Sequence, residues 1–328
     1  MTILVTGGAG YIGSHCVRAL AAAGYDCVVY DNLSSGHREA VYGFPLVAGD
    51  LSDVKKLKAT LSDLKIGGVV HFAAHSLVAE SVADPLKYYE NNIGGTVSLL
   101  AAMRTCGVDK IVFSSSAAVY GAPGRTPITE AAPAKPVNPY GETKLAIERL
   151  LRAADTAYGM KSVALRYFNA AGAAPDGNIG EAHAVETHLV PLVLREARTN
   201  GGSLKVFGGD YPTPDGSAVR DYVHVLDLAD AHVLALQYLI NGGKSGCFNL
   251  GTGSGASVLE IIQAARDVTG ADIAYELAGR RAGDPAVLVA GADKAKRVLG
   301  WRPSRSGLFT MIRDAYRWHS RHPDGFGK

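Results

Sequence analysis

The chain has 328 residues, 47% hydrophobic and 20% charged, with 33 Lys and Arg against 31 Asp and Glu, for a formal net charge of +2. That length allows two domains that each bury a core, and so small a net charge offers no broad attraction for nucleic acid or an anionic membrane. No uncharged apolar run is long enough to cross a bilayer. The four cysteines, Cys16, Cys27, Cys106 and Cys247, form no Cys-x-x-Cys pair, so buried free thiols are expected. The first strand-like run starts at Ile3, leaving no room ahead of it for a signal peptide, and a cytoplasmic protein is expected.

Ile3 to Val5 is a short apolar run suited to a buried strand. Glycines follow at Gly7, Gly10 and Gly13, and an apolar-rich segment, Val17 to Ala23, suits a helix. Strand, glycine turn and helix in that order make a phosphate cradle, because backbone N–H groups can approach the ligand and the helix N-terminus adds partial positive charge. A second apolar run, Cys27 to Tyr30, ends in Asp31, eighteen residues after Gly13. A Rossmann unit places there the carboxylate that receives the adenosine ribose hydroxyls. A carboxylate would repel the extra phosphate of NADP, so the spacing predicts NAD.

Strand-like runs then recur at Pro45–Ala48, Val69–Phe72, Lys110–Ser114 and Ser162–Tyr167. Val54–Leu61, Pro85–Thr105 and Tyr140–Tyr158 lie between them, each long enough for a crossover helix. This alternation predicts an α/β fold: a Rossmann-type doubly wound parallel sheet, with ligands beyond the carboxyl ends of its strands. After Asn169 the composition shifts to Ala, Gly, Pro and Asp. Helices are expected at Leu226–Leu239, Leu259–Thr269 and Leu308–His319 in a smaller α/β substrate-binding domain. The boundary is drawn between residues 1–170 and 171–328, with some later segments allowed to return to the first domain.

Asn138-Pro139-Tyr140-Gly141-Glu142-Thr143-Lys144 reads as a helix start, with Asn138 as cap and Pro139 in the first turn. Of the fifteen tyrosines, only Tyr140 has a lysine four residues on, which puts both side chains on one helix face. A phenol titrates near 10, so a tyrosine base working near neutrality needs about 4 kcal/mol of help. A helix N-terminus supplies about 0.3–1 kcal/mol. A lysine ammonium at about 4 Å supplies around 4 kcal/mol at an effective dielectric of about 20. Lys144 and an oxidised nicotinamide are therefore the expected activators. Ser114-Ser115-Ser116 ends a predicted strand, and Ser116 is the favoured hydroxyl partner for the substrate oxygen, although such serines also cap turns.

Several of these stretches resemble a known family. They are Thr6-Gly7-Gly8-Ala9-Gly10-Tyr11-Ile12-Gly13-Ser14-His15, His71-Phe72-Ala73-Ala74, Phe113 to Gly121, Asn138 to Lys144, and Leu165-Arg166-Tyr167-Phe168-Asn169. Further on come Tyr211 to Gly216, Val219 to Val225, Arg280 to Pro285, and Trp318 to Pro323. As a set the chain resembles the extended short-chain dehydrogenase/reductases, and within them the UDP-glucose (UDP-galactose) 4-epimerases.

The resemblance implies that Gly7, Gly10, Tyr11, Ile12 and Gly13 hold the NAD pyrophosphate, with Asp31 and Asn32 on the ribose and Asp50 and Leu51 bordering the adenine. Phe72, Ala73, Ala74, Asn92, Ser114, Tyr167 and Phe168 would line the nicotinamide side. Tyr140 would be the base, Lys144 its activator and ribose ligand, and Ser116 the hydroxyl partner. Asn169, His188, Leu189, Phe207, Arg220, Arg281 and Asp284 would hold the UDP-sugar, the arginines pairing two oxygens at once. A homodimer is also implied. Some relatives carry other residues at Ser76, His188 and Leu288, which leaves the sugar open.

The expected chemistry is C4 epimerisation of a UDP-hexose. Epimerisation of another UDP-sugar, a 4,6-dehydratase or decarboxylase, and a non-catalytic NAD sensor are the alternatives. Ala117 and Ala118, which cannot transfer protons, stand where such dehydratases need acid–base residues. Glu181-x-His183-x-x-Glu186-x-His188 raises the idea of a metal, but histidines five apart do not share a helix face, and no metal is assigned.

Overall fold

In the computed structural model, which describes residues 1–199, 201, 204–281 and 284–327, the first run forms strand β1 (Thr2–Thr6). The chain continues through α1 (Tyr11–Ala22), β2 (Asp26–Asp31), β3 (Leu46–Ala48), α2 (Val54–Asp63), β4 (Ile66–His71) and α3 (Val78–Ala83). Helix α4 (Pro85–Tyr88) passes through a π turn at Tyr89–Gly94 into α5 (Gly95–Cys106). Then come β5 (Lys110–Ser116), α6 (Pro139–Tyr158), β6 (Lys161–Tyr167), β7 (Asn169–Ala171) and α7 (Leu189–Thr199). The remainder is β8 (Lys205–Phe207), β9 (Val219–Arg220), β10 (Tyr222–His224), α8 (Val225–Ile240), β11 (Gly246–Leu250), β12 (Ala256–Ser257), α9 (Val258–Thr269), β13 (Glu276–Ala278), β14 (Val287–Leu288), α10 (Asp293–Val298) and α11 (Leu308–Arg321).

Seven strands pair in the order β11-β6-β5-β4-β1-β2-β3, every pairing parallel. Successive side chains of a strand point to opposite faces, and both faces here are covered. Ile3 and Val5 pack with Val17 and Leu20 of α1 and Leu228 and Leu236 of α8. Leu4 packs the other way, with Leu57 of α2, Leu99 of α5 and Ile147 and Leu151 of α6. The strand order reverses between β1 and β4, which opens the ligand crevice of such a sheet at their carboxyl ends.

Two features of this sheet lay beyond the sequence pattern. Helix α8 and strand β11 come from the second half of the chain, yet α8 covers α1 and β11 extends the sheet beside β6. Strand β5 runs through Ser116 rather than ending at Ser114, because Ser115 and Ser116 continue the ladder opposite Arg166 and Tyr167. A separate core joins α7, α9 and α11 through Val193, Leu194, Ile261, Ile262, Met311 and Ile312. Helix α7 went unpredicted. Cys16 and Cys27 are buried as expected, whereas Cys106 and Cys247 are half-buried; all four are free thiols.

Candidate active site

The glycine turn joins β1 to α1 at the crevice. Gly7 has φ +69°, and a Cβ there would lie 2.5 Å from the Ala73 nitrogen, so the turn and the Phe72–Ala74 loop meet backbone to backbone. A Cβ on Gly13 would lie 2.3 Å from the Gly7 oxygen, while one on Gly10 would meet nothing closer than that oxygen at 3.4 Å. Gly13 is thus bare for packing and Gly10 for open space above the turn. Gly10 is also the N-cap of α1, with no side chain capping the helix. A capless helix end behind a bare glycine fits a pyrophosphate, whose oxygens can take the N–H groups that a cap would otherwise occupy.

Asp31 ends β2 beside this turn. Its Oδ2 accepts from the Ala9 N–H at 2.9 Å and its Oδ1 from the Leu33 N–H at 2.8 Å. Burial raises its pKa, and these two bonds oppose the rise. Each carboxylate oxygen keeps a second lone pair for a ribose hydroxyl. Asn32 donates to Asp50 Oδ2 at 2.7 Å, and Leu51 packs against Gly95. Asn32 and Asp50, both expected on the adenosine side, are therefore in contact. Ile12 packs on the sheet core, and Tyr11 turns its hydroxyl to the Gly172 carbonyl at 2.6 Å.

On the other side of the crevice, Asn92 sits in the π turn, fully buried. Its side chain accepts from the His75 N–H at 2.8 Å and donates to the His75 carbonyl and to Thr143 Oγ1, each at 3.1 Å. A π turn inserts one residue into a helix and re-aims what it carries. Here it stitches the Ala74 loop to α6.

Asn138 caps α6 by accepting from the Gly141 N–H at 2.9 Å. A Cβ on Gly141 would lie 2.6 Å from the Ala118 oxygen, so the helix start presses on the turn after β5. That contact brings Tyr140 beside Ser116, whose hydroxyl favours the ionised phenol. Lys144 is buried; its Nζ donates to the Ser114 carbonyl at 2.8 Å and lies 5.7 Å from the centre of the Tyr140 ring. Ser114 and Tyr167 share a hydrogen bond at 2.5 Å, and Phe168 packs with Val119 and Leu145 beneath the same turn.

The protein groups by themselves leave this pair unactivated. Burial holds the Tyr140 phenol above its ordinary value, with the Ser116 bond pulling the other way. Burial lowers Lys144 to about 7, opposed by Glu148. With Lys144 itself lowered to about 7, its ammonium is only partly charged near neutrality and gives the phenol less help than a full charge would. A second cation is required, as a bound oxidised nicotinamide would provide.

The residues expected at the UDP-sugar converge in part. Arg220 pairs with the Asp284 carboxylate, the Asn169 N–H donates to the carbonyl of the adjoining Asp221 at 3.0 Å, and the Arg281 guanidinium lies 4.0 Å over the Phe207 ring. Ala282 and Gly283 of the same motif lie outside the described residues. His188 and Leu189 stand at the start of α7, where His188 contacts Glu181 and Glu186.

Sequence reasoning missed the support behind the site. Arg166 pairs with Glu148 in full burial, Nε to Oε1 at 2.8 Å, and Ser115 donates to the same carboxylate at 2.6 Å. His71, between Thr6 at 2.6 Å and Thr96 at 3.0 Å, is held down at about 3 by burial and the nearby Lys144 charge, so it stays neutral. Only Glu148 carried a signal, lying four residues beyond Lys144 on the face of α6.

Residues 3–251 match the profile of the NAD dependent epimerase/dehydratase family. The UDP-glucose 4-epimerase of Lacticaseibacillus casei is 56% identical over 328 residues, covering 100% of this chain and 99% of that protein. A crystal structure of a UDP-glucose 4-epimerase superposes with a TM-score of 0.98 at 49% identity and full coverage of both chains. That of the Bifidobacterium longum UDP-glucose 4-epimerase, in complex with NAD+ and UDP, superposes with a TM-score of 0.93 at 39% identity, covering 99% of this chain and 100% of the other.

Proposed function

The chain belongs to the NAD-dependent epimerase/dehydratase family, and we propose from its site that it interconverts UDP-glucose and UDP-galactose at C4, with NAD tightly held. One observation carries the reading: Tyr140, Ser116 and Lys144 stand together at the carboxyl edge of the sheet whose glycine turn fits a pyrophosphate. Bound NAD would supply hydride acceptance and return at C4.

The chain's own residues do the rest. Tyr140, ionised, takes the proton from the C4 hydroxyl and later returns it, while Ser116 donates a hydrogen bond that steadies the oxygen. Lys144 holds positive charge beneath the phenol and faces the ribose. Gly7, Gly10, Tyr11, Ile12 and Gly13 take the pyrophosphate, and Asp31 and Asn32 the ribose. Arg220, Arg281 and Asp284 anchor UDP, with Asn169, Leu189 and Phe207 beside it. A firm grip on UDP and a loose one on the hexose would let the planar 4-keto sugar turn over and present its other face.

We take the enzyme to work as a cytoplasmic homodimer. Val82, Leu86, Tyr89 and Val97, exposed between 43% and 71%, place apolar surface along α3 to α5 that a second copy would cover. No helix among the described residues is long and apolar enough to cross a membrane.

The test is the purified protein incubated with UDP-galactose, UDP-N-acetylgalactosamine and UDP-xylose, without added NAD. UDP-galactose should convert to UDP-glucose. A 4-keto-6-deoxy product, or no C4 epimer from any of the three, overturns the proposal.

A further inference from the structure

Between β7 and α7 the chain follows an irregular path, pinned at several carbonyls. Tyr11 donates to Gly172 at 2.6 Å and Trp318 Nε1 to Glu181 at 2.9 Å, while His37 Nε2 bonds the Ala182 carbonyl at 3.0 Å. Arg317 and Arg321 of α11 hold the carbonyls of Pro175 and Asp176. Bends at Ala184 and Val185 turn the segment back on itself, so four side chains meet: Glu181, His183, Glu186 and His188. The objection that histidines five apart cannot share a helix face does not apply to a doubled-back loop.

Both imidazoles present Nδ1 to the same two carboxylates. His183 Nδ1 lies 3.3 Å from Glu181 and 3.3 Å from Glu186; His188 Nδ1 lies 2.8 Å from Glu181 and 3.1 Å from Glu186. One donor atom from each of the four residues falls within 4.8 Å of all the others. Around a tetrahedral zinc ion with bonds of about 2.0–2.1 Å, neighbouring donors stand about 3.3 Å apart. Three of the four contacts match that spacing to within a few tenths of an ångström; both imidazoles face Glu181 Oε1, while Glu186 turns Oε2 to His183 and Oε1 to His188, so one oxygen of that carboxylate would serve. Magnesium and calcium want six or more oxygens, so a set of two imidazoles and two carboxylates selects a transition metal.

The surroundings orient the donors. Glu181 is buried, and Glu186 Oε1 accepts the backbone N–H groups of Thr187 and His188, each at 2.7 Å, as outer-shell bonds do for ligating carboxylates.

We propose that Glu181, His183, Glu186 and His188 form a four-coordinate site for one divalent metal ion of the zinc class. The ion closes the loop between β7 and α7 on itself and fixes the start of α7, where His188 and Leu189 face the sugar side. It touches no reacting atom and acts by positioning.

The test uses the untagged full-length protein with its bound dinucleotide, grown with zinc and dialysed against metal-free buffer. Elemental analysis should find about one zinc per chain, and a chelator should remove it. Returning one equivalent of zinc to the stripped protein should raise its melting temperature by several degrees, with magnesium inert. Cobalt should give the intense visible bands of a four-coordinate ion. His183→Ala and Glu181→Gln, each checked for folding by circular dichroism, should lose both zinc retention and the cobalt spectrum. If the stripped wild-type protein takes up no zinc or cobalt, or if the variants retain as much as the wild type, the four side chains are an ion-pair network and the proposal fails.

Discussion

Lys144 Nζ donates to the Ser114 carbonyl at 2.8 Å, which ties the face of α6 that carries Tyr140 to the end of the strand that carries Ser116. The bond holds a buried ammonium at a fixed place below the phenol. The β4 ladder on β5 ends at Phe113 while the β6 ladder runs on to Ser116, and the Ser114 carbonyl finds its donor in Lys144.

Replacing both Tyr140→Phe and Lys144→Met should leave folding intact and remove turnover. A general base is worth about 100- to 10,000-fold, so kcat in the UDP-galactose assay should fall at least that far. Removing the buried ammonium relieves its desolvation but leaves the Ser114 carbonyl without its donor, so the melting temperature should change little. Near-normal kcat would remove Tyr140 from the mechanism.

Two glycines of one turn should behave oppositely. Gly13→Ala drives a methyl into the Gly7 carbonyl, and overpacking of this kind costs about 1–3 kcal/mol or more. Gly10→Ala meets only that same oxygen at 3.4 Å and should fold, yet its methyl occupies the space above the turn. Thermal melting should single out Gly13→Ala, and the NAD content of the purified protein should single out Gly10→Ala. Full NAD retention by Gly10→Ala would place the pyrophosphate elsewhere.

Glu148→Gln leaves the Arg166 guanidinium buried without its counter-charge, and breaking one partner of such a pair costs about 3–5 kcal/mol. Denaturant unfolding should show that loss, and Glu148→Gln with Arg166→Met should recover part of it. If the single and double variants are equally unstable, the ion pair is not what holds β6 against α6.

Stability should fall on mild acidification. Burial holds His15 and His232 at about 4 and His71 at about 3, against about 6.5 in the unfolded chain. At these three sites the unfolded chain binds more protons, and their sum exceeds the opposite contribution of His183 and His188, raised to about 9 and about 10 by Glu181 and Glu186, so stability drops as pH falls below about 6.5. The urea midpoint should decrease from pH 7.5 to 5.5, above the range where most carboxylates titrate, and His232→Met should flatten the slope by up to about one proton. An unchanged midpoint would mean that these imidazoles titrate normally.

Local spacing made much of the site legible. The glycine turn, the acid eighteen residues beyond it and the pair Tyr140 and Lys144 each depend on a strand end, a turn or one helical repeat, and such short-range geometry is written in the order of residues. Other features depend on residues far apart in the chain, which no periodicity announces. Asn92 reaches Thr143 across 51 residues only because a π turn aims it. Helix α8 and strand β11 return to the first sheet because its outer edge and the apolar side of α1 need cover. Glu181, His183, Glu186 and His188 are close in sequence, yet their meeting depends on α11 and His37 holding the loop's carbonyls. Sequence determined which chemistry each short stretch could offer; tertiary packing decided which of those groups face one another, because bringing distant segments together depends on burial shared among them all.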